Sequence, residues 1–243
     1  MLKVDLHTHT ADDPVDRISH TTTDLIDRAA ALGYDALAVT LHDRQLDVRP
    51  LAPYAADRGI VLLPGVERTI EGRHVLLINF RRGADGLRTF DDLARLKAAS
   101  RGEPALVIAP HPFFPLASCL REQMDRHADL FDAVECNAMF TSALNFNVRA
   151  EQWARRRGTP IVGNGDVHRL RQLGTTFSLV DAPRDPDAIC DAIAAGHVTC
   201  ESHAIGWLKA AGVVADMMCA DHVLGRRGER SPILAPARLP DLH

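Results

Sequence analysis

The sequence predicts a single α/β domain of parallel strands joined by crossover helices, and three observations carry that prediction. Its 243 residues suit one α/β barrel, a fold that commonly runs to roughly 200–250 residues. Short β-type runs alternate with helix-type runs along most of the chain, which is the order that parallel strands with crossover helices produce. Histidines and carboxylates recur just past the C-terminal ends of the β-type runs, where parallel barrels assemble their sites.

Taken in order, strands are expected at Leu2–Leu6, Ala36–Thr40, Val61–Leu63, His74–Asn79, Ala105–Ala109, Ala133–Cys136, Pro160–Val162, Phe177–Val180 and His197–Cys200, each a short apolar or β-branched run. Between the first two, Thr23 is the expected cap of a helix from Asp24 to Leu32, and Gly33 its C-terminal stop. Helices also fit Phe90–Ala99, Cys119–Ala128, Val148–Arg157 and Pro186–Ala195. The apolar stretch Ala204–Leu224 is interrupted by Lys209, Asp216, Asp221 and His222, so it reads as a docked terminal helix rather than a membrane span. One domain is therefore expected over residues 1–224. An irregular, proline- and arginine-rich tail is expected over 225–243.

Composition narrows the class further. Hydrophobic residues make up 46% and charged residues 25% of the chain, enough apolar side chain for a real core and no sign of disorder. A net charge of −4 supplies no global field to attract nucleic acid. Five cysteines, Cys119, Cys136, Cys190, Cys200 and Cys219, show no zinc-ribbon or redox spacing, and their odd number does not complete a disulfide framework. No basic-then-apolar leader is present at Met1-Leu2-Lys3-Val4, so a reducing, cytoplasmic setting is the expectation.

The chemistry sits at the strand ends. His7 and His9 follow the first strand one residue apart, and extended backbone points both imidazoles to one face. His42 and Asp43 follow the second strand, Glu67 the third, His111 the fifth, and Asp166 and His168 the seventh. Any one of these alone reads equally as a surface or capping residue, whereas eight of them delivered to one rim by five strands read as a metal-binding set. His20, His127, His197, His203 and His222 fall outside the pattern and read as surface or locally bonded histidines.

These residues also carry a resemblance. Asp5-Leu6-His7-Thr8-His9-Thr10 resembles the opening motif of the PHP (polymerase and histidinol phosphatase) superfamily. Ala38-Val39-Thr40-Leu41-His42-Asp43, Pro64-Gly65-Val66-Glu67, Ala109-Pro110-His111-Pro112 and Gly165-Asp166-Val167-His168 are similar to its later motifs, in order. The resemblance implies a distorted seven-stranded (β/α) barrel with two or three divalent ions, zinc, manganese or iron, at its rim. It implies that His7, His9, Glu67 and Asp166 hold one ion, with Glu67 bridging to a second held by His111. A third would use His42 and His168 with an acidic residue after the first motif, for which Asp13 is preferred over Asp12. The family's second motif usually reads Thr-Asp-His, and Leu41 stands where a partner for His42 would be. After Glu135-Cys136-Asn137-Ala138 the family's further ligand is replaced by Met139-Phe140-Thr141-Ser142. Glu135 and Asn137 are then either substitutes that order water or ligand, or a strand-end pair.

Ions in such a site lower the pKa of bound water towards about 7 and draw charge off phosphoryl oxygens. The chain is therefore expected to be a metal-dependent phosphoesterase acting on a small phosphate monoester, with Glu67 and Asp166 at the catalytic centre. His74, on the strand after Glu67, is a candidate extra ligand or proton donor to the leaving group. Arg44, Arg68 and Arg169 lie within two residues of expected ligands and are candidates to grip phosphate, each also readable as a solvated surface arginine. A nucleotide phosphatase or nuclease is the second expectation, weakened by an aromatic content of only 5%, since bases need stacking surfaces. A non-catalytic metal-binding module is the third. No membrane partner is expected.

Overall fold

The computed structural model describes residues 1–207 and Gly212. Nine strands form one sheet: β1 (Leu2–Asp5), β2 (Ala36–Val39), β3 (Val61–Ile70), β4 (Arg73–Ile78), β5 (Leu106–Ala109), β6 (Ala133–Asn137), β7 (Ile161–Asn164), β8 (Thr176–Val180) and β9 (Val198–Ser202). Helices α1 (Thr22–Ala31), α2 (Ala52–Ala56), α3 (Phe90–Ala99), α4 (Gln123–Arg126), α5 (Asn147–Arg157) and α6 (Pro186–Ala194) connect them. The sheet order is β7-β6-β5-β4-β3-β2-β1-β8-β9. At the site end, segments just past β1 and β7 meet through the parallel Thr8–Val167 bridge. There the amide of His9 donates to the Val167 carbonyl at 3.1 Å and the amide of Val167 to the His7 carbonyl at 3.2 Å. Strands β1–β7 thus form a nearly closed ring, and β8, paired with β1 on the edge away from β2 and joined to β7 through Ser178 and Gly163, carries β9.

Every expected strand is present, but not all are parallel. β3 pairs parallel with β2 through its first half and antiparallel with β4 through its second. The cause is a two-residue turn: Glu71 and Gly72 both take positive φ, 49° and 74°, the geometry that joins antiparallel neighbours tightly. β4 in turn runs antiparallel to β5, and β8 runs antiparallel to both β1 and β9.

The helices differ from expectation mainly at their ends. Thr21, not Thr23, caps α1, and its hydroxyl and the Asp24 carboxylate form a reciprocal capping box. Gly33 does follow the helix in the left-handed region, at φ 70°. The helix expected over Cys119–Ala128 is only the short α4, because Arg121 turns the chain at φ 49°, a conformation no α-helix accommodates. Short α2 was not anticipated. The expected terminal helix beyond residue 207, Gly212 aside, and the expected tail at 225–243 lie outside the described residues.

Strand alternation divides the apolar residues into inner and outer sets. Val4, Ala36, Ala38, Leu63, Leu76, Ile78, Leu106, Ile108, Ala133 and Val162 pack together inside the ring with Ile189 and Ile193 of α6. Outside it, α3 and α5 cover one arc through Phe90, Leu93 and Trp153, and α1 covers another through Leu25, Ile26 and Ala29. With the ring filled by hydrocarbon on the α6 side, its polar side chains collect at the opposite end. That end carries the site.

Candidate metal centre

Glu67 is the hub. Alternation along β3 points it inward, where its side chain is 1% exposed. One oxygen, Oε2, lies 3.3 Å from His7 Nε2, 3.3 Å from His9 Nε2 and 3.2 Å from His42 Nε2. The other, Oε1, lies 3.2 Å from His111 Nε2 and 2.7 Å from His74 Nδ1. Asp166 Oδ1 approaches the same point, 3.4 Å from His7 Nε2 and 3.7 Å from His9 Nε2. His7 and His9 thus share a face, as their spacing predicts.

Loops at the strand ends deliver several of these side chains in unusual backbone. His111 and Asp166, at φ 30° and 48°, occupy a region that costs a non-glycine residue energy and that concentrates at functional sites. At β7, Gly165 makes the approach possible: a Cβ there would lie 2.8 Å from Asp5 Oδ2 and 2.6 Å from Val167 Cγ2. Asp5 uses both oxygens on the Gly165 amide and also accepts from the His7 amide. It ties the ends of β1 and β7 together, and burial pushes its carboxyl up to about 7.

A second layer sets the tautomers. Glu135, fully buried on β6, accepts from His7 Nδ1 at 2.8 Å, from Asn164 Nδ2 at 3.0 Å and from Asn137 Nδ2 at 2.8 Å. Because a carboxylate only accepts, Nδ1 of His7 carries a proton and Nε2 is the atom turned to the centre. Asp13 does the same for two rings: its Oδ2 lies 3.0 Å from His9 Nδ1 and 3.0 Å from His42 Nδ1, and accepts from the His42 amide at 2.9 Å. The position of Leu41 is filled by core packing, so Asp13 is the partner that orients His42. His168 places Nε2 2.8 Å from Asp16 Oδ2, and its Nδ1 lies 3.1 Å from the Asp166 carbonyl and 3.3 Å from Asp166 Oδ1.

Burial alone would raise the Glu67 carboxyl and lower the histidines. The charges facing one another reverse both tendencies. Glu67 lies well below the ordinary carboxylate range because His7, His111 and His74 face it. His7 is held well above its usual value by Asp166, Glu135 and Glu67, and His168 is raised to about 10 by Asp16 and Asp166. His9 is the exception, lowered by burial and by the neighbouring His168.

This donor set fits divalent cations. His7 Nε2 and His9 Nε2 are buried and make no hydrogen bond, although carboxylate oxygens lie beside them. Buried polar atoms are nearly always satisfied, and imidazole nitrogen with carboxylate oxygen is a set suited to zinc, manganese or iron. Among the described residues, four overlapping triads bring one ligand atom each within 4.8 Å: His9, His42 and His168; His7, His9 and Asp166; His7, Glu67 and His111; His42, Glu67 and His74. Seven of the eight expected metal ligands and His74 are members of these triads; Asp13 is not, and sits on the outer side of the His9 and His42 rings.

The arginines divide. Arg68 follows Glu67 on the opposite face of β3, and its guanidinium donates to the carbonyls of Leu87 and Asp43 at 2.9 and 3.0 Å. Arg169 donates to the His168 carbonyl at 2.7 Å. Arg44 is exposed. Residues that the sequence did not single out as site residues also contribute: Asp16, Asn164 and Cys119, at 3.5 Å from His111 Nδ1; His20, read from the sequence as surface or locally bonded, is buried and locally bonded, with Nε2 2.9 Å from the His9 carbonyl. Asn164 was legible as the residue two before Asp166. The others sit in irregular loops with no periodic signal.

A histidine and carboxylate centre at one end of a nearly closed α/β barrel defines the class, a barrel with a metal site at its rim. The chain matches the family model described as PHP-associated over residues 145–198, from α5 into β9. In overall fold it is similar to a two-domain protein from Bacteroides vulgatus containing a predicted PHP-like metal-dependent phosphoesterase, at 18% identity and a TM-score of 0.64, covering 89% of this chain and 69% of that one. It is likewise similar to PsfC from Pseudomonas syringae, at 19% identity and a TM-score of 0.62, covering 92% of this chain and 99% of that one. The lesion-specific endonuclease from Pyrococcus furiosus matches at 18% identity and a TM-score of 0.54; 82% of this chain covers 57% of that one. No curated protein matches the chain. The family model spans a minority of the chain, and the solved structures show a likeness of fold. Among the described residues no helix is long and apolar enough to cross a membrane.

Proposed function

We propose that this protein is a metal-dependent phosphoesterase that hydrolyses a small phosphate monoester. The observation that carries the reading is Glu67, whose two oxygens stand within 3.3 Å of nitrogens from five histidines, two of them buried without a hydrogen bond. His7, His9, Glu67 and Asp166 would hold one ion, and Glu67 would bridge to a second held by His111. His42 and His168 would serve a third. Such ions lower the pKa of coordinated water and draw charge from the non-bridging phosphoryl oxygens.

The chain's own residues supply orientation. Glu135 keeps the His7 proton on Nδ1, and Asn137, which donates to both Glu135 and Asp166 Oδ2, locks the two carboxylates relative to one another. His74 is the most open of the histidines facing Glu67, at 18% exposure, and is placed to protonate a leaving oxygen or to complete the triad with His42 and Glu67. Of the arginines considered for phosphate, Arg44 is the exposed one; Arg68 and Arg169 each already donate to two backbone carbonyls and would have to release one to grip an anion.

A nucleotide ester is the second reading, favoured by the partly exposed Phe113 and Phe146 on either side of the buried Phe114 near His111. Phe114 packs 6.4 Å from the His111 ring and 5.3 Å from Phe146, and the Arg149 guanidinium lies 4.4 Å above Phe113. Bases stack on such surfaces. The test is turnover of 4-nitrophenyl phosphate, bis(4-nitrophenyl) phosphate and a nucleoside monophosphate by chelator-treated protein before and after manganese or zinc. Metal-restored cleavage of the monoesters supports the reading, preference for the diester moves it to a nuclease, and metal uptake with no turnover of any of the three leaves a binding module.

A further inference from the structure

One loop aims three histidines that come from three different strand ends. Asp13 lies in the segment between β1 and α1, and its side chain is shielded from solvent. Its Oδ2 gathers the Nδ1 atoms of His9 and His42 and the His42 amide. Its Oδ1 accepts from the amides of Val15 and Asp16 at 2.9 Å each. That second set turns the loop so that the Asp16 carboxylate reaches His168 Nε2 at 2.8 Å. His9, His42 and His168 are the members of one candidate ligand triad.

We infer that Asp13 is a positioning residue and not a ligand: one carboxylate fixes His9 and His42 in the Nδ1–H tautomer and, through the loop it closes, places Asp16 against His168. With both Nδ1 protons committed to a single oxygen, both Nε2 lone pairs face Glu67 Oε2, at 3.3 and 3.2 Å. The rings then move as a pair. Their centroids are 4.5 Å apart and their planes within 26°, so tilting one displaces the other. Since no oxygen of Asp13 is left over for an ion without releasing a histidine or the loop, ligation and orientation are alternatives for this residue.

The inference rests on the metal-centre reading, but its test has a readout that needs no metal. Asn at this position keeps the size and replaces one oxygen by an NH2, which cannot accept; whichever way it sits, the histidines or the loop amides face a donor. In metal-free protein labelled with 15N-histidine, at a pH where the rings are neutral, nitrogen shifts should report His9 and His42 as Nδ1–H in the wild type. Asp13→Ala should move both towards Nε2–H together. Manganese titration followed by elemental analysis should then show affinity reduced by about 10–100-fold, as for other residues that orient ligands, with the same number of ions bound at saturation. Asp13→Asn guards against a folding defect and should fall between wild type and Asp13→Ala in affinity. One ion fewer at saturation in both variants would make Asp13 a ligand, and unchanged tautomers would make it a bystander; either overturns the inference. A wild type that takes up no manganese or zinc would defeat the metal-centre reading and leave the tautomer result to decide on Asp13.

Discussion

His7 and His42 aim Nε2 at the same oxygen of Glu67, at 3.3 and 3.2 Å, yet they are held from behind in different ways. Behind His7 stands Glu135, on a strand, fully buried and itself fixed by Asn137 and Asn164. Behind His42 stands Asp13, on a loop whose Asp16 carboxylate is 37% exposed. The inner half of the centre is therefore part of the barrel's packing, and the rim half is an attachment to it. The same device, a carboxylate that commits Nδ1 and frees Nε2, is rigid in one place and dependent on loop closure in the other.

The largest effect is expected where the halves meet. Glu67→Gln removes the charge common to both, so metal content should collapse. With each ion contributing several kcal/mol of transition-state stabilisation, turnover should fall by about three orders of magnitude or more. Elemental analysis alongside kinetics checks this, and retention of full metal content would break the picture of a shared hub. His42→Ala separates the halves: the rim ion should be lost, one fewer per chain, while the ion at His7 and His9 stays and turnover drops strongly with folding intact. A wild-type metal count with wild-type turnover would reduce His42 to a strand-end histidine.

Glu135→Gln sharpens the contrast in rigidity. Affinity for the inner ion should fall about 10–100-fold. Because His7 Nδ1 and two amide side chains lose a charged acceptor in the core, unfolding of the metal-free protein should lose roughly 1–3 kcal/mol as well. Denaturant titration measures the second effect, and an equal loss in Asp13→Asn would erase the distinction between barrel and attachment. The smallest change is Gly165→Ala. Its Cβ would meet Asp5 Oδ2 and Val167 Cγ2 at 2.8 and 2.6 Å, overpacking worth about 1–3 kcal/mol. That corresponds to roughly 2–4 °C of Tm per kcal/mol for a chain of this size, and an unchanged melting temperature would show that the β1–β7 junction is softer than the inner half requires.

Local pattern made much of this architecture readable. Alternating apolar runs located all nine strands, and the one-residue spacing of His7 and His9 put both rings on one face. Histidines and carboxylates at strand ends identified seven of the residues in the triads. Strand direction was not readable, because the residues of β4 look the same whichever way the strand runs; the Glu71-Gly72 turn decides it. Nor was the difference between Asp13 and Asp16, since both lie in one acidic loop without period, and only the loop's own hydrogen bonds show which oxygen meets which ring.

What the sequence determined by itself is the inventory and its order: one α/β chain, the strand runs, and the ligand types that end them. These depend on neighbours a few residues away, where periodicity and turn chemistry act. Tertiary structure alone decided the second layer. Glu135 lies 128 positions from the His7 it orients, and Asp16 lies 152 from His168. No local preference links residues so far apart, and the carboxylate that fixes a tautomer is chosen by whichever strand end or loop the closing barrel brings behind the ring.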